Sequence, residues 1–166
     1  MSVSATDIKF YLTGGAANSN VNASLGGTTS SVEITTAVLN NLFDNISAAE
    51  ALAGDNEYRA IAVKNTHATD TLYSAKIWGD GSVEGSGYTY LNLAVDSGTQ
   101  SVADESTAPS APSLSFDVYP VEGNSLSLGD IAAGAQKRIW IKRSCNAAAA
   151  AYSADLVTLT VKGQTT

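Results

Sequence analysis

The sequence contains a single cysteine, Cys145, among its 166 residues. One thiol cannot form an internal disulfide, so the fold is not expected to depend on an oxidising compartment. Long apolar runs are also missing: no stretch approaches the roughly 18 residues that a membrane-spanning helix needs, and the first residues lack the basic and apolar regions of a secretory signal. These absences predict a protein that is made and folded in the cytosol.

Charge is scarce and mostly of one sign. Charged residues make up 15% of the chain, and nine basic against sixteen acidic side chains give a net charge of -7 and a pI near 4.4. A negative protein repels phosphate backbones and anionic lipid headgroups, so neither nucleic acid nor a membrane is expected as a partner. The abundant small uncharged polar residues instead predict a surface that contacts other proteins.

Groups that carry catalysis are few. His67 is the only histidine, and no nucleophile motif such as G-x-S-x-G accompanies it. A catalytic arrangement would have to combine it with Cys145 or a distant serine, whereas a solvated loop histidine and an inert thiol at a strand end are the simpler interpretation. The sequence therefore predicts a protein that is not an enzyme and binds no cofactor.

Two segments match ligand-binding loops in part. Four residues have the first, third, fifth and sixth positions of a calcium loop: Asp80, Ser82, Glu84 and Gly85. The twelfth position, where a bidentate carboxylate is needed, is Leu91, so we interpret this segment as a hairpin tip and predict no metal site. The glycine-rich segment 14–27 has no Lys-Ser/Thr ending and no strand-to-helix context, so it is not expected to bind phosphate.

The alternation of apolar residues is the main structural signal. Residues 57–78 predict a central hairpin, two strands joined by a polar turn from Asn65 to Thr71. In the first strand Ile61 and Val63 share one face, and Tyr58, Ala60 and Ala62 share the other. In the second strand one face carries Tyr73, Ala75 and Ile77.

Other alternating segments predict strands along the rest of the chain, namely 8–12, 32–34, 88–95, 114–118, 136–143 and 155–162. In 136–143, Ile139 and Ile141 are expected inward and Arg138, Trp140 and Lys142 outward.

One short helix is predicted around 47–53, because Ser47 and Glu50 have capping-box spacing and Gly54 supplies a stop. With eight or nine short strands and at most one or two short helices, the sequence favours an all-β fold. We expect a single β-sandwich domain over 1–166, immunoglobulin-like or jelly-roll-like.

Two long loops are predicted between the strands. Segment 14–31 contains two Gly pairs and several Asn, Ser and Thr residues, so it is expected to be a flexible arm unless a neighbour orders it. Segment 96–113 is rich in Ser, Thr, Ala, Asp and Pro and is expected to be a long loop rather than a linker between domains.

Aromatic and basic residues suggest two further features. An aromatic platform for a glycan could be formed by Trp78, Trp140, Tyr88 and Tyr90. Ordinary packing within the core or on a sheet face explains these aromatics equally. A local basic stripe is predicted from Lys137, Arg138, Lys142 and Arg143.

Six stretches that are distributed over most of the chain carry a family resemblance: Asp7–Asn18, Asn41–Asp44, Ala53–Arg59, Lys64–Thr69, Val102–Ser110 and Leu128–Gly134. Together they resemble a family of small virion proteins of tailed phages. The resemblance implies a structural component of the virion, assembled in the host cytoplasm, and specifically a decoration or cement protein on the outer capsid surface. Its implied partners are the major capsid protein and copies of itself, and it brings no set of functional residues.

On this expectation the two long loops are the candidate docking elements. The candidate capsid-docking residues are Gly14, Gly15, Asn18, Asn20, Asn22, Gly26 and Gly27. Two alternatives remain open: a glycan-binding or host-adhesion β-sandwich module on the virion, and another head-tail structural protein.

Overall fold

The fold is an all-β sandwich, as the alternating pattern predicts. The computed structural model describes residues 2–79, 89–96, 100–110, 114–150 and 156–165. The strands in these ranges are β1 (Ile8–Leu12), β2 (Asp55–Asn65), β3 (Leu72–Gly79), β4 (Thr89–Asp96), β5 (Leu126–Ile131), β6 (Gln136–Cys145) and β7 (Leu159–Gln164). They form two antiparallel sheets, a larger one with the order β1-β2-β6-β4 and a smaller one with the order β5-β3-β7. The described part thus has seven strands, where the sequence predicts eight or nine over the whole chain.

The hydrophobic core lies between the two sheets. The larger sheet contributes Ile61, Val63, Leu93, Ile139 and Ile141, and the smaller sheet contributes Leu72, Ala75, Ile77, Leu128 and Ile131. In β2 and β6 these side chains occupy every second position, so the predicted inward faces are confirmed. A slip of one residue would turn this face outward, and burial therefore fixes the register of both strands.

The pairing of the predicted central hairpin is wrong. β2 lies in the larger sheet between β1 and β6, whereas β3 lies in the smaller sheet between β5 and β7. The buried side chain of Asn65 organises the crossing: its Nδ2 donates to the carbonyl oxygens of Asp70 (2.8 Å) and Ile131 (3.0 Å), and its Oδ1 accepts the N–H of His67 (3.0 Å). These hydrogen bonds satisfy the buried amide of Asn65 and fix the polar segment that connects β2 in the larger sheet to β3 in the smaller sheet.

The predicted face of β3 is also wrong at one residue. Tyr73 is exposed, and its neighbour Leu72 is buried together with Ala75 and Ile77. The register shifts between Leu72 and Ala75, and Ser74 there has a φ of 47°, in the left-handed region. This irregularity inserts one position into the alternation, so the side chains before it change faces.

The predicted short helix is confirmed. α1 (Ala48–Ala53) begins after Ser47, whose N–H donates to Oε2 of Glu50 (2.5 Å) while its hydroxyl accepts the Glu50 N–H (3.3 Å). Gly54 ends it with a φ of 80°. Two single turns of 3-10 helix, Ala5–Asp7 and Val21–Ala23, precede it. None of the helices in the described residues is long or apolar enough to span a membrane.

Two predicted strands are reduced to single bridges. In the segment 32–34, only Glu33 pairs, with Tyr11 of β1. In the segment 114–118, only Asp117 pairs, with Leu93 of β4. These short pairings lie along β1 and β4, the two edge strands of the larger sheet, and cover part of their otherwise open backbone groups.

Candidate functional site: a loop layer on the larger sheet

Loops of the same chain cover part of the outer face of the larger sheet. We call residues 14–31, 100–110 and 114–117 the loop layer. Beneath it lies a second apolar cluster, in which Tyr58, Ala60 and Trp140 pack against Val102, Leu114 and Phe116. Trp140 is fully buried, and the rings of Tyr58 and Phe116 meet edge to face with centroids 5.6 Å apart. The outward face of β6 is therefore a packed surface rather than a solvated one.

The paired glycines allow the loop layer to approach the sheet closely. The N–H of Gly14 donates to the carbonyl of Gly26 (2.7 Å), and the N–H of Gly27 donates to the carbonyl of Gln100 (2.7 Å). All four glycines of the two pairs have positive φ, from 72° to 125°. A Cβ on Gly26 would lie 2.8 Å from Cζ2 of Trp140, so only glycine fits there without displacement.

Thr13 and Ser24 continue the sheet beyond the end of β1. The N–H of Ala60 donates to the carbonyl of Ser24 (2.7 Å), and the hydroxyls of Ser24 (2.7 Å) and Thr13 (2.8 Å) both donate to the carbonyl of Ala60. Both hydroxyl residues are fully buried. The neighbour that orders segment 14–31 is thus β2 of the same chain.

Two of the three candidate asparagines, Asn18 and Asn20, shape the turn at residues 18–22 with their side chains. Nδ2 of Asn18 donates to the carbonyls of Thr13 (2.6 Å) and Asn20 (3.0 Å), while its Oδ1 accepts the N–H of Asn20 (2.9 Å). Oδ1 of Asn20 accepts the N–H of Asn22 (3.0 Å). These are Asx-type bonds that replace regular secondary structure, so the asparagines hold the loop in one shape.

A groove opens at the surface of the loop layer. Its volume is about 390 Å³, and it is lined by Gly14, Gly15, Ala23, Leu25, Gly26, Gly27, Thr28, Ser101 and Val102. Four of the seven candidate docking residues belong to this lining. None of the lining residues is charged, although the chain as a whole has a net charge of -7.

One buried ion pair fastens the glycine pair to the sheet. Nε of Arg138 donates to Oδ2 of Asp96 (2.5 Å), and Nε1 of Trp140 donates to the same oxygen (3.1 Å). Arg138 also donates, through Nη1, to the carbonyl of Gly27. The Asp96 side chain is fully buried, so this pair ties β4, β6 and the loop together where water is excluded.

A second cluster of charges lies near the start of β2. Arg59 pairs with Glu105, and Arg143 pairs with Glu57 and with Asp44 (3.6 Å). The ring of Phe43 covers both guanidinium groups, 5.4 Å from Cζ of Arg59 and 4.8 Å from Cζ of Arg143. Because the pairs join β2 and β6 to the segments around residues 44 and 105, the cluster fixes two loops to the sheet.

The three carboxylates of this cluster have an arrangement that could also suit a cation. Ligand oxygens of Asp44, Glu57 and Glu105 lie within 4.8 Å of one another. The two guanidinium groups already neutralise most of this charge, so the arrangement functions as an ion-pair network. Burial raises the pKa of the Glu57 carboxyl, and the neighbouring Arg143 opposes that rise.

The predictions from the sequence did not include this cluster of ion pairs, although the alternation of residues in β2 contains a signal for it. Glu57 and Arg59 lie in phase with Ile61 and Val63, on the face that the alternation assigns to the core. Charged residues at inward positions need partners, because an unpaired buried charge is very costly. The pattern therefore indicates an ion pair without identifying the distant residues that complete it.

The structure does not bring His67 and Cys145 together. Cys145 pairs with Asp55 at the start of β2, whereas His67 follows the end of that strand, about 30 Å away along it. Nδ1 of His67 accepts the N–H of Asp70 (2.9 Å) and of Thr69 (3.3 Å), and the Cys145 thiol is buried. These contacts make His67 part of a turn and Cys145 part of a strand end.

The aromatic platform is not assembled among the described residues. Trp140 is buried under the loop layer, and Trp78 lies in the smaller sheet, whereas Tyr90 is exposed on the larger sheet. Tyr88 lies outside the described residues, as do the calcium-loop positions 80–85.

The predicted basic stripe does not form an exposed positive surface. Arg138 forms an ion pair with Asp96, and Arg143 forms one with Glu57. Arg138 and Lys142 also alternate with Lys137 and Arg143 along β6, so the four side chains lie on opposite faces of the strand. The local run of basic residues gave no information on the carboxylates that neutralise it.

Comparison of the chain with protein-family models, with curated proteins and with solved structures finds no match. The loop layer and its groove are therefore the basis for a functional proposal.

Proposed function

We propose that this chain is a structural protein of a tailed-phage virion, which binds the outer capsid surface through its loop layer and stabilises the shell. Its partners in this role are the major capsid protein and further copies of itself. The role is structural and involves neither catalysis nor a cofactor. The resemblance of stretches such as Asp7–Asn18 and Val102–Ser110 to tailed-phage virion proteins supports this choice.

The observation that carries the proposal is the fixed shape of the glycine- and asparagine-rich loop. Its backbone amides are bonded to the sheet and to each other, as in Gly15 N–H to Thr28 carbonyl (3.0 Å) and Ser31 N–H to Ala16 carbonyl (2.9 Å). A loop that is already ordered loses little conformational entropy on docking. Such a preorganised, uncharged surface is suited to a protein partner.

The composition supports the same role. Binding that depends on many weak contacts becomes strong when the contacts are repeated over a lattice, since each bound copy holds the next in place. A surface of small polar residues with few charges fits against a protein shell without burying unpaired charges. The net charge of -7 keeps free copies soluble before assembly.

The test is the location of the protein on intact particles. Purified protein would be added to capsids that lack it, and occupancy would be read from cryo-electron microscopy maps and from co-sedimentation. We expect ordered density on the outer shell with the loop layer facing the capsid. Density confined to the tail or neck, binding to glycans without binding to capsids, or no association with particles would each contradict the proposal.

Charged substitutions on the exposed part of the loop make this test specific. In Ala17→Arg/Ser19→Arg both positions are exposed, so the fold should survive while docking is lost. The matched control is Ala132→Arg/Gln164→Arg, which adds the same charge at exposed positions away from the loop layer. Equal occupancy of the two variants would show that the loop layer is not the docking surface.

A further inference from the structure

The guanidinium group of Arg143 lies between two carboxylates. Its Nε donates to Oε2 of Glu57, and its Nη2 forms ion pairs with Glu57 and, at 3.6 Å, with Oδ1 of Asp44. This Nη2 atom is buried, but it meets the geometry of a hydrogen bond to neither carboxylate. One cation thus has two acceptors within reach and is fully bonded to only one of them.

The charges around Arg143 do not balance. Three carboxylates and two guanidinium groups meet here: Asp44, Glu57, Glu105, Arg59 and Arg143. The carboxylate of Glu50, on α1, also acts on Arg143 from outside this group. When all three central carboxylates are ionised, negative charge is in excess, and uptake of one proton restores the balance.

Glu57 is the carboxylate at which ionisation costs most. The residue is only 4% exposed, and burial raises the pKa of its carboxyl although Arg143 opposes the rise. The side chains of Asp44 and Glu105 are 44% and 36% exposed, so water stabilises their charges. The proton that balances the cluster is therefore expected on Glu57.

We propose that Arg143 is shared between Glu57 and Asp44, and that protonation of Glu57 transfers the guanidinium from the first carboxylate to the second. A neutral carboxyl attracts a guanidinium much less than a carboxylate does, whereas Asp44 keeps its charge. Nη2 then closes the 3.6 Å gap to Asp44 and forms a direct charge-assisted bond. When Glu57 loses the proton, Arg143 returns to it, as in the structure, and Asp44 turns towards solvent.

The position of Asp44 is transmitted to the turn at residues 18–22. Nδ2 of Asn22 donates to Oδ2 of Asp44 over 3.4 Å, and Oδ1 of Asn22 accepts Nη2 of Arg59 (3.2 Å). The first of these bonds is long and therefore weak, so a movement of Asp44 changes it. The protonation of a buried carboxyl in β2 is thus coupled to an exposed loop. This switch lies within the chain and does not depend on capsid binding.

A titration of the whole chain followed by nuclear magnetic resonance tests the switch. The carboxyl carbon of Glu57 reports its protonation, while the side-chain amide of Asn22 and the backbone amide of Asp44 report the arrangement around it. All three would be followed from about pH 4 to about pH 8. We expect the amide signals to shift with the midpoint of Glu57, above its ordinary value near 4.5.

Two variants separate this coupling from other titrations. Glu57→Gln imitates the protonated side chain, so the step should be lost and the Asn22 signal should stay at its low-pH position. In Asp44→Asn, Glu57 should still titrate, but Asn22 should no longer follow it. The matched control is Glu33→Gln, which removes a carboxylate from the exposed pair with Lys9 and should leave the step in place.

Two results would overturn the proposal. In the first, the Asn22 and Asp44 signals of the wild type do not follow the titration of Glu57. In the second, the same step persists in Glu57→Gln, which would assign it to another carboxyl group. Since no capsid is present, both results are separate from the outcome of the particle experiment.

Discussion

Gly26 lies directly on Trp140, so close that a Cβ would come within 2.8 Å of the indole Cζ2. The same Cβ would overlap the carbonyl oxygen of Gln100, and the φ of 89° is itself unfavourable for any other residue. We predict that Gly26→Ala lowers the free energy of unfolding by about 3 kcal/mol, through strain and displacement of the loop layer from the second apolar cluster. Urea denaturation followed by tryptophan fluorescence measures this loss.

Substitutions of two other glycines distinguish backbone strain from steric overlap as causes of this loss of stability. Gly15 has a φ of 125°, but a Cβ added there would meet no atom within 4 Å, so Gly15→Ala should cost about 1 to 2 kcal/mol, from backbone strain alone. Gly123 has neither constraint, and Gly123→Ala should be nearly neutral. A cost for Gly26→Ala no larger than that for Gly15→Ala would mean that contact with Trp140 is unimportant.

The Arg59 and Glu105 pair should be worth more than an exposed pair. The Arg59 side chain is fully buried, its Nε has no acceptor among the described residues, and removing Glu105 leaves its charge poorly compensated. We predict that Glu105→Gln destabilises the protein by about 2 kcal/mol, because an uncompensated buried charge is costly. The control is Glu33→Gln, which breaks the exposed pair with Lys9 and should cost at most about 1 kcal/mol. Equal losses in thermal or urea unfolding would contradict the prediction.

Glu57 should give stability an unusual dependence on pH. Burial raises the pKa of this carboxyl above its ordinary value near 4.5, so between that value and the raised one the native state binds more protons than the unfolded state. The contribution of Glu57 to the free energy of unfolding therefore falls as the pH rises through this interval. Wild-type protein and Glu57→Gln would be compared by urea unfolding from about pH 4 to about pH 8.

The comparison isolates Glu57 because other carboxyl groups act in the opposite sense. Hydrogen bonds from Ser47 lower the pKa of Glu50, so its contribution is present above its ordinary value and is lost in acid. Such groups change both proteins equally. If the free energy of unfolding of the wild type rose with pH relative to that of Glu57→Gln, the attraction of Arg143 would have a larger effect on the pKa of Glu57 than burial has, and the prediction would be wrong.

The capping box of α1 should control local rather than global stability. All six residues of this helix are partly or fully exposed, and Ser47 with Glu50 closes its first turn. We predict that Ser47→Ala costs the helix about 1 kcal/mol. Hydrogen exchange of the Gly54 N–H, which donates to the Glu50 carbonyl (2.7 Å), should then be faster. Exchange in β2 should be unchanged, and an equal acceleration there would show that the helix unfolds only with the sandwich.

The local periodicity of the sequence was sufficient to predict most strands and the inward residues. Ile61, Val63, Ile139 and Ile141 are in the core because alternation is a property of each strand alone. Strand pairing is not local. The turn after Asn65 looks like a hairpin connection, and only the carbonyl of Ile131, far along the chain, shows that Asn65 turns β2 away from β3.

Segment 14–31 could be recognised as a loop from the sequence, but its contacts with the sheet could not. The two Gly pairs and three Asn residues identify segment 14–31 as a special loop, but its partner, β2, is specified by bonds between Ser24 and Ala60 that no pattern reveals. Trp140 was correctly placed on the outward face of β6. Alternation describes which way a side chain points, whereas its burial depends on the loops that cover it.

The order of the larger sheet has a consequence for how the chain folds. β2 lies inside this sheet and pairs with β6, which is distant in sequence: Asp55 pairs with Cys145, and Lys64 pairs with Gln136. Closing so large a loop costs conformational entropy before the stabilising contacts form. Topologies of this kind therefore fold slowly, with folding times of roughly milliseconds to seconds. During synthesis β2 leaves the ribosome long before β6 has been made. The apolar face of β2 therefore stays exposed until the later strands that cover it have also emerged.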